Sequence, residues 1–311
     1  MITGFLRNRR VRAGGVVLAI FVLVAITGDL LIEWYGVGPF DVDYGNLHAA
    51  PGVNGHWLGT TISGQDVLSQ LISGARGSIT VGLLSGVLAT VLAVVIGVTS
   101  GFLGGPVDHA LNGVTNVVLT LPSFAMTLIV AGYLGSAGGA AEPAIGLVVM
   151  AVLIGIFEWP SGARYLRSQT MSLRSRDFTM ATRMTGESTW RLIVIEMLPH
   201  LAGIISAMFL RAVVAGIFAE ASLNFLGVAT QGTISWGTMI ANAQAQGALT
   251  YGWWWWFIAP GLCIALIGTA TALINFGLDE VTNPRLRPGD RAVIRAHART
   301  VRRLQAAGER P

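Results

Sequence analysis

Six long apolar stretches constrain this chain more than any other feature of its sequence. A helix needs about 20 consecutive apolar residues to cross the hydrocarbon layer of a bilayer. Only 12% of the residues are charged and the mean hydropathy is +0.63, values that exclude an ordinary soluble domain. The sequence therefore predicts an all-α polytopic membrane protein with spans at residues 14–33, 78–102, 113–135, 144–160, 201–223 and 256–278.

The distribution of basic residues predicts how these spans are oriented. The chain has no lysine, so all 20 of its basic side chains are arginines. Arginine-rich segments stay in the cytoplasm, which places both termini and residues 177–200 on the cytoplasmic side. The segments without arginine, expected outside, are 34–75, 136–143 and 224–255. The first span can also be interpreted as a signal peptide, but its apolar run is long and no clear cleavage site of small residues follows it.

The sequence contains no pattern that predicts catalysis. A P-loop ATPase needs a lysine that reaches the nucleotide phosphates, and this chain has none. Ser/His/Asp, HExxH and CxxC arrangements are absent as well, and the five histidines are scattered. The single cysteine, Cys263, lies in an apolar stretch, where it is expected to pack as a small hydrophobic residue. We therefore predict a protein that is not an enzyme and has no catalytic residue, metal site or cofactor of its own.

Residues 177–200 form the one long polar stretch in the middle of the chain, and they predict two short helices joined by a glycine. The first helix starts at Asp177, a favourable N-cap, and ends at Gly186. The second starts at Ser188 and is expected to stop before Pro199. Its apolar stripe consists of Trp190, Ile193, Val194 and Met197. Such a stripe can fill a groove on another protein, or the helix can lie on lipid headgroups.

Several motifs in this sequence resemble those of ABC-importer permeases. Residues 177–200 resemble the loop motif of peptide-importer permeases, a variant that reads "DF, two residues, A, one residue, R, two residues, G, one residue, S, one residue, WR". The match depends on Asp177, Phe178, Ala181, Arg183, Gly186, Ser188, Trp190 and Arg191, with Leu198 and Pro199 at the Leu-Pro of the general motif. The general motif is met less well, since Met180, Thr182 and Glu196 depart from it.

Further motifs extend this resemblance over almost the whole chain. Residues 56–82 resemble the segment before the second span of these permeases, with Thr61 and Gln65 in place of an aspartate and an arginine. More matches follow in the expected order, at residues 220–228 (EASLNFLGV), 236–237, 260–261 and 275–287 (NFGLDEVTNPRLR). The chain therefore resembles the second permease subunit, the DppC/OppC type, of peptide ABC importers.

The resemblance implies a type I ABC importer permease fold in the bacterial cytoplasmic membrane. The implied partners are a homologous second permease of the DppB/OppB type, two ATPase domains that bind ATP and Mg, an extracytoplasmic substrate-binding protein and membrane lipid, with no nucleic acid. The implied substrate is a di- or oligopeptide, and glutathione or a nickel complex is an alternative. A secondary transporter driven by an ion gradient is an alternative of another class.

The resemblance also implies three regions with different roles along the chain. Residues 1–77 would comprise the N-terminal segment, the first span and an extracytoplasmic loop; residues 78–288 the permease core; and residues 289–311 a basic tail, either bound to lipid or solvated. Closure of the ATPases would press on residues 177–200 and rock the spans. The residues implied in this coupling are Asp177, Ala181, Arg183, Gly186, Ser188, Trp190, Arg191, Ile193, Val194, Met197, Leu198 and Pro199.

Arg211 lies near the middle of the fifth predicted span, where a charge costs at least about 2.5 to 3.5 kcal/mol. Glu220 is nine residues further on, on the opposite face of the same helix, so the two cannot pair. The partner of Arg211 is expected to be Glu158, a group of the second permease or the carboxylate of the substrate. These residues are predicted to form a buried ion pair or part of the translocation pathway. Glu220, which belongs to a family motif, can order the external loop that follows.

The last expectations concern loops, kinks and packing. Trp236 and Gly237 are a candidate docking surface for the binding protein, and residues 34–75, with Asp41, Asp43, His48 and His56, are a second. The four tryptophans at 253–256 are expected to mark the membrane interface. Two GxxxG pairs predict close helix packing, and two prolines predict kinks; these residues are Gly82, Gly86, Gly97 and Gly101, with Pro122 and Pro260.

Overall fold

The fold is helical throughout the part of the chain that a computed structural model describes, residues 8–137, 143–228 and 232–282. Within these ranges there is no β-sheet, and strand-like pairing is limited to three isolated β-bridges. A short π-helix, Leu192–Met197, precedes the eighth α-helix. The α-helices are α1 (Arg9–Tyr35), α2 (Val67–Leu103), α3 (Gly105–Thr120), α4 (Ser123–Ala137), α5 (Pro143–Arg174), α6 (Asp177–Met184), α7 (Thr189–Arg191), α8 (Leu198–Phe225), α9 (Trp236–Ala245), α10 (Ala248–Tyr251) and α11 (Trp254–Thr282).

Within the described residues, five helical stretches are long and apolar enough to cross a membrane, and α3 and α4 make a sixth if they are counted together. These two helices meet at an angle of 77°. The predicted span at 113–135 falls within this bent pair, and the predicted kink at Pro122 is confirmed. Its cause is local, because a residue before proline avoids the helical conformation, and Leu121 is extended at φ −78° and ψ 131°.

Three predicted boundaries also need correction. The fourth span does not end at residue 160 but continues as α5 to Arg174, with Pro160 inside the helix. The helix that begins at Thr189 does not stop before Pro199, because it passes through the π-helix into α8. In this wider turn the N–H of Leu198 donates to the carbonyl of Ile193, five residues back, and the proline that follows has no N–H to satisfy. Finally, α2 starts at Val67, well before residue 78, where the second span was predicted to begin.

The core is built around α2, with α5 packed on one part of it and α8 on another. The predicted close packing at both GxxxG pairs is confirmed. A Cβ atom added to Gly86 would lie 2.7 Å from Cγ2 of Val213 in α8. A Cβ atom added to Gly101 would lie 2.6 Å from the carbonyl oxygen of Arg167 in α5. The glycines therefore let these backbones approach more closely than any side chain would allow.

This close approach predicts the result of a matched pair of glycine substitutions. Gly101→Ala should destabilise the protein by about 1 to 3 kcal/mol, because the methyl group forces α2 and α5 apart. Gly113→Ala should leave stability unchanged or raise it slightly, because no atom lies within 4 Å of an added Cβ there and alanine favours a helix. The fraction of monodisperse protein that survives heating in detergent measures both, and equal losses would contradict the packing assignment.

The start of α3 and the last turns of α5 are joined by an ion pair that sequence reasoning did not identify. The Nε and Nη2 atoms of Arg167 each lie 2.6 Å from a carboxylate oxygen of Asp108. Ser100, near the end of α2, also donates to this carboxylate. Bidentate pairs of this kind fix orientation as well as distance. The bent pair of α3 and α4 is thus held to the rest of the fold at one end.

Residues 36–66 fold into a compact cap on the start of α2. Asp66 is fully buried there, accepts from the N–H of Ser69 at 2.8 Å, and lies 2.8 Å from Nδ1 of His56. The hydroxyl of Tyr35 donates to the same carboxylate at 3.2 Å. The pKa of Asp43 is lowered by hydrogen bonds from Asn46, from the backbone of Gly45 and from His56. His56 is therefore part of a buried polar network. It does not form part of an exposed docking surface, the role that the sequence predicted for its loop.

Candidate functional site

The segment 177–200 forms the two helices and the glycine turn that its sequence predicts. The first is α6, and the second begins after Ser188, whose Oγ accepts from the N–H of Arg191 at 3.4 Å. Between them Gly186 has φ of +80°, a conformation that residues with a Cβ rarely adopt. Arg191 also lies 3.3 Å from a carboxylate oxygen of Glu187, a largely exposed pair that contributes little to stability. Sequence reasoning therefore predicted the starts of both helices and the glycine turn correctly, but it ended the second helix too early.

The second half of the segment is seated on the end of α2. Leu192 and Met197 are both buried, and together with Phe102 they form a small apolar core that Leu173 and Ile193 complete. Met197 is 0% exposed, so it is not part of a stripe offered to another protein, as its spacing predicted. Phe102 has no motif around it, and nothing in the sequence indicated that it would support this segment.

The surface of the segment carries large apolar side chains that the described residues do not cover. Met184 is 87% exposed and Trp190 is 75% exposed. Met180 and Ile195 are exposed as well. The side chains of Ala181 and Arg183, also predicted to act here, lie outside the described part of the structure. An exposed tryptophan and an exposed methionine on one short segment are the kind of surface that a partner protein buries.

Glu220 lies on the far side of the fold, in the last turns of α8, and is only 1% exposed. Its carboxylate accepts hydrogen bonds from Oγ of Ser235 and Nδ2 of Asn224, and Oγ of Ser78 lies 3.4 Å away. Ser235 is the N-cap of α9, so Glu220 joins α8, α2 and α9 at one point. This arrangement agrees with the expectation that Glu220 orders the segment after α8. The two serines were not identified from the sequence.

Trp236 and Gly237 lie inside the fold, and this burial does not fit the docking role predicted for them. Trp236 is 1% exposed, and its Nε1 donates to the carbonyl of Leu71 at 3.0 Å. A Cβ atom on Gly237 would lie 2.6 Å from the Cα of Ala221. Two of the four tryptophans at 253–256 are likewise buried, namely Trp255 and Trp256. The run therefore does not form a continuous interfacial belt, although Trp254 is exposed.

Arg211 faces α5 from the middle of α8. Its Nη2 lies 3.8 Å from Oε1 of Glu158 and 3.3 Å from Oγ of Ser161. Among the three partners considered for Arg211, Glu158 is the one that this chain supplies. The contact is loose, and 59% of the arginine side chain is exposed in a cavity of about 370 Å³ between α5, α8 and α11. Glu220 contacts a different part of the fold, as expected.

The described residues contain no group of three or more His, Cys, Asp or Glu side chains that could hold a metal ion. Cys263 is a free, partly buried cysteine packed beside the core of α2, α8 and α11. The structure thus presents an exposed apolar surface on one side, a charged cavity within the apolar helices, and a buried carboxylate on the other side. Such a set suits transport and its coupling to a partner.

Comparison with known proteins agrees with this description. The family described as binding-protein-dependent transport system inner membrane component matches residues 93–288. Over 290 residues the chain is 33% identical to the oligopeptide transport system permease protein OppC of Mycobacterium tuberculosis (strain H37Rv), covering 93% of this chain and 95% of that protein.

Two other relatives are similar along most of their length. The dipeptide transport system permease protein DppC of Bacillus subtilis is 29% identical over 90% of this chain and 83% of its own length. The glutathione transport system permease protein GsiD of Escherichia coli O6:K15:H31 is 28% identical over 91% and 90%. This chain therefore belongs to the family of inner membrane components of binding-protein-dependent transport systems, the permease subunits of ABC importers.

Proposed function

We propose that this chain forms half of the translocation pathway of an ATP-driven importer of di- and oligopeptides. The names of the relatives from M. tuberculosis and B. subtilis support a peptide substrate. The observation that carries the proposal is the surface of Met184 and Trp190. The described residues leave it uncovered, while the adjoining π-helix packs on Phe102. A permease needs such a surface to receive force from separate ATPase subunits.

The coupling can be followed residue by residue. Trp190 and Met184 enter a groove on an ATPase subunit, where an aromatic anchor contributes most of the binding energy. Gly186 lets α6 and the second helix change their mutual angle. Leu192 and Met197 pass the displacement to Phe102 and thus to α2, while α8 moves as the continuation of the same helix. ATP and Mg are bound by the ATPase subunits, and this chain supplies no residue to that chemistry.

The proposed orientation places both termini and residues 177–200 in the cytoplasm, where the arginines cluster. The cap of residues 36–66 and α9 then face the substrate-binding protein. Because Trp236 is buried, docking falls to exposed aromatic side chains of the cap, such as Tyr44 and Trp57. A second permease of the DppB/OppB type completes the pathway. The proposed basic tail, 289–311, lies outside the described residues.

The decisive experiment measures accumulation of labelled di- and oligopeptides in vesicles that contain this chain with its co-purified partners, with and without the binding protein. Uptake that requires both ATP and the binding protein is the expected result. Labelled glutathione and a nickel complex are tested in parallel, because a similar permease is named for glutathione. Uptake by this chain alone, driven by an ion gradient, would show that it is a secondary transporter.

The seat on Phe102 gives a prediction about coupling. Phe102→Leu should leave a small cavity beneath Leu192 and Met197, lower stability by about 1 kcal/mol, and reduce the amount of peptide transported per ATP hydrolysed. Phe124→Leu is the control, because Phe124 is exposed. Transport and ATP hydrolysis are measured on the same vesicles. An unchanged ratio for Phe102→Leu would contradict its role in transmission.

A further inference from the structure

We propose that Arg211 binds the C-terminal carboxylate of the peptide as it passes through the membrane, in the cavity between α5, α8 and α11. This inference rests on the proposed function, because the carboxylate is that of a peptide which this chain transports. The cavity is named here the Arg211 cavity. Its lining includes Ser161, Gly162, Tyr165, Gly203, Arg211 and Asn275. Its volume of about 370 Å³ falls within the range of small-molecule binding sites, roughly 300 to 1,000 Å³.

The first argument is the unmet hydrogen-bonding capacity of Arg211. A guanidinium has five N–H donors in a planar fork that matches a carboxylate. Within the described residues, Ser161 is the acceptor that lies within 3.5 Å, at 3.3 Å. Glu158 is 3.8 Å away, too far for a direct hydrogen bond. An arginine in the middle of a span is stable only beside water or an anion. The cavity next to Arg211 has room for an anion, and the guanidinium supplies the opposite charge.

The second argument is the polar character of the cavity beyond its charge. Asn275 of α11 is part of its lining. Tyr165 lies one turn after Ser161 on α5 and is exposed. A peptide carries amide N–H and C=O groups next to its terminal carboxylate. The lining can therefore match more than the charge alone.

The third argument is the size of the Arg211 cavity. A peptide terminus needs a volume of this order, about 370 Å³, for its last residue, whereas a carboxylate side chain from the second permease would need much less. Ile204 and Met208 also line the cavity, so a side chain of the peptide would find apolar contacts there.

Glu158 has a defined place in this arrangement. At 3.8 Å it neutralises Arg211 at a distance without occupying the guanidinium fork. The carboxylate of the peptide displaces this loose contact and forms a shorter, charge-assisted pair. Once the peptide leaves, Glu158 again stabilises the arginine. Glu158 is thus a positioning residue that competes with the substrate, and Arg211 is the binding residue.

The test compares uptake of one labelled peptide with that of its C-terminal amide by the whole importer in vesicles. The binding protein is the same in every sample, so its own preference cancels when the acid-to-amide ratios of variants are compared with that of the wild type. Arg211→Gln should lower the ratio about tenfold, because a charge-assisted hydrogen bond is lost. Glu158→Gln should raise it, because the competing carboxylate is removed. Arg211→Lys should restore part of the preference.

Arg164→Gln is the matched control, since it removes an exposed arginine of α5 that bonds to Asn116 and does not line the cavity. Its ratio should equal that of the wild type. An unchanged ratio in Arg211→Gln, with ATP-dependent uptake retained, would overturn the carboxylate site and leave the proposed function standing. If Arg211→Gln transports nothing, the result for Glu158→Gln decides. If the acid-to-amide ratio of Glu158→Gln does not rise above that of the wild type, the carboxylate site is overturned. Absence of ATP-dependent uptake by the wild type contradicts the proposed function itself.

Discussion

Trp190→Ala should reduce ATP-dependent uptake at least about tenfold while the protein still folds and assembles with its second permease. The side chain is largely exposed, so its removal takes away little packing within this chain. At an interface, however, a buried tryptophan commonly contributes about 2 kcal/mol or more. Loss of that anchor separates ATP hydrolysis from transport. Uptake by vesicles and the yield of the co-purified complex are measured together.

Two further variants make the result specific. Trp34→Ala removes an equally exposed tryptophan at the other end of the molecule, in α1, and should leave uptake unchanged. Gly186→Val should reduce uptake as Trp190→Ala does, because a φ of +80° strains any residue with a branched Cβ. If Trp190→Ala and Gly186→Val both transported at the wild-type rate, residues 177–200 would not be the coupling segment.

Glu220→Ala should cause the largest loss of stability among the substitutions considered. It leaves the hydroxyl of Ser235 and the amide of Asn224 without their acceptor in a buried place, and each such group costs about 1 to 3 kcal/mol. It also removes the contact that holds the start of α9. We expect destabilisation of about 3 kcal/mol or more, measured as survival of monodisperse protein after heating in detergent.

The neighbouring Ser222 provides the control for this experiment. It lies on the same helix, is exposed, and bonds only to the carbonyl of Phe218 within its own turn among the contacts described. Ser222→Ala should therefore be nearly neutral. Glu220→Gln should fall between the two, because it keeps an acceptor oxygen for Ser235. Equal stability of Glu220→Ala and Ser222→Ala would show that the carboxylate does not join α8, α2 and α9.

The features that sequence predicts here are those with a local cause. Apolar runs identified the spans, and a glycine followed by a capping serine identified the turn at Gly186. The failures have a tertiary origin. The hydroxyl of Ser78 meets Glu220 across 142 residues of sequence, and Phe102 meets Met197 from far away in the sequence as well, so neither contact leaves a pattern in a short window. Trp236 was misassigned because the sequence around an aromatic residue in a loop does not show whether its side chain faces solvent or the core.

The continuous helix from Thr189 to Phe225 has a mechanical consequence. Its 37 residues make a rod about 55 Å long, with Trp190 at one end and the Glu220 junction near the other. If the helix rotates as a rigid body, a tilt of about 10° around its centre moves the two ends by roughly 5 Å in opposite directions. Arg211 lies close to the centre of the helix, where the displacement is smallest. A gate that opens at one end would close at the other while the charged cavity stays almost still.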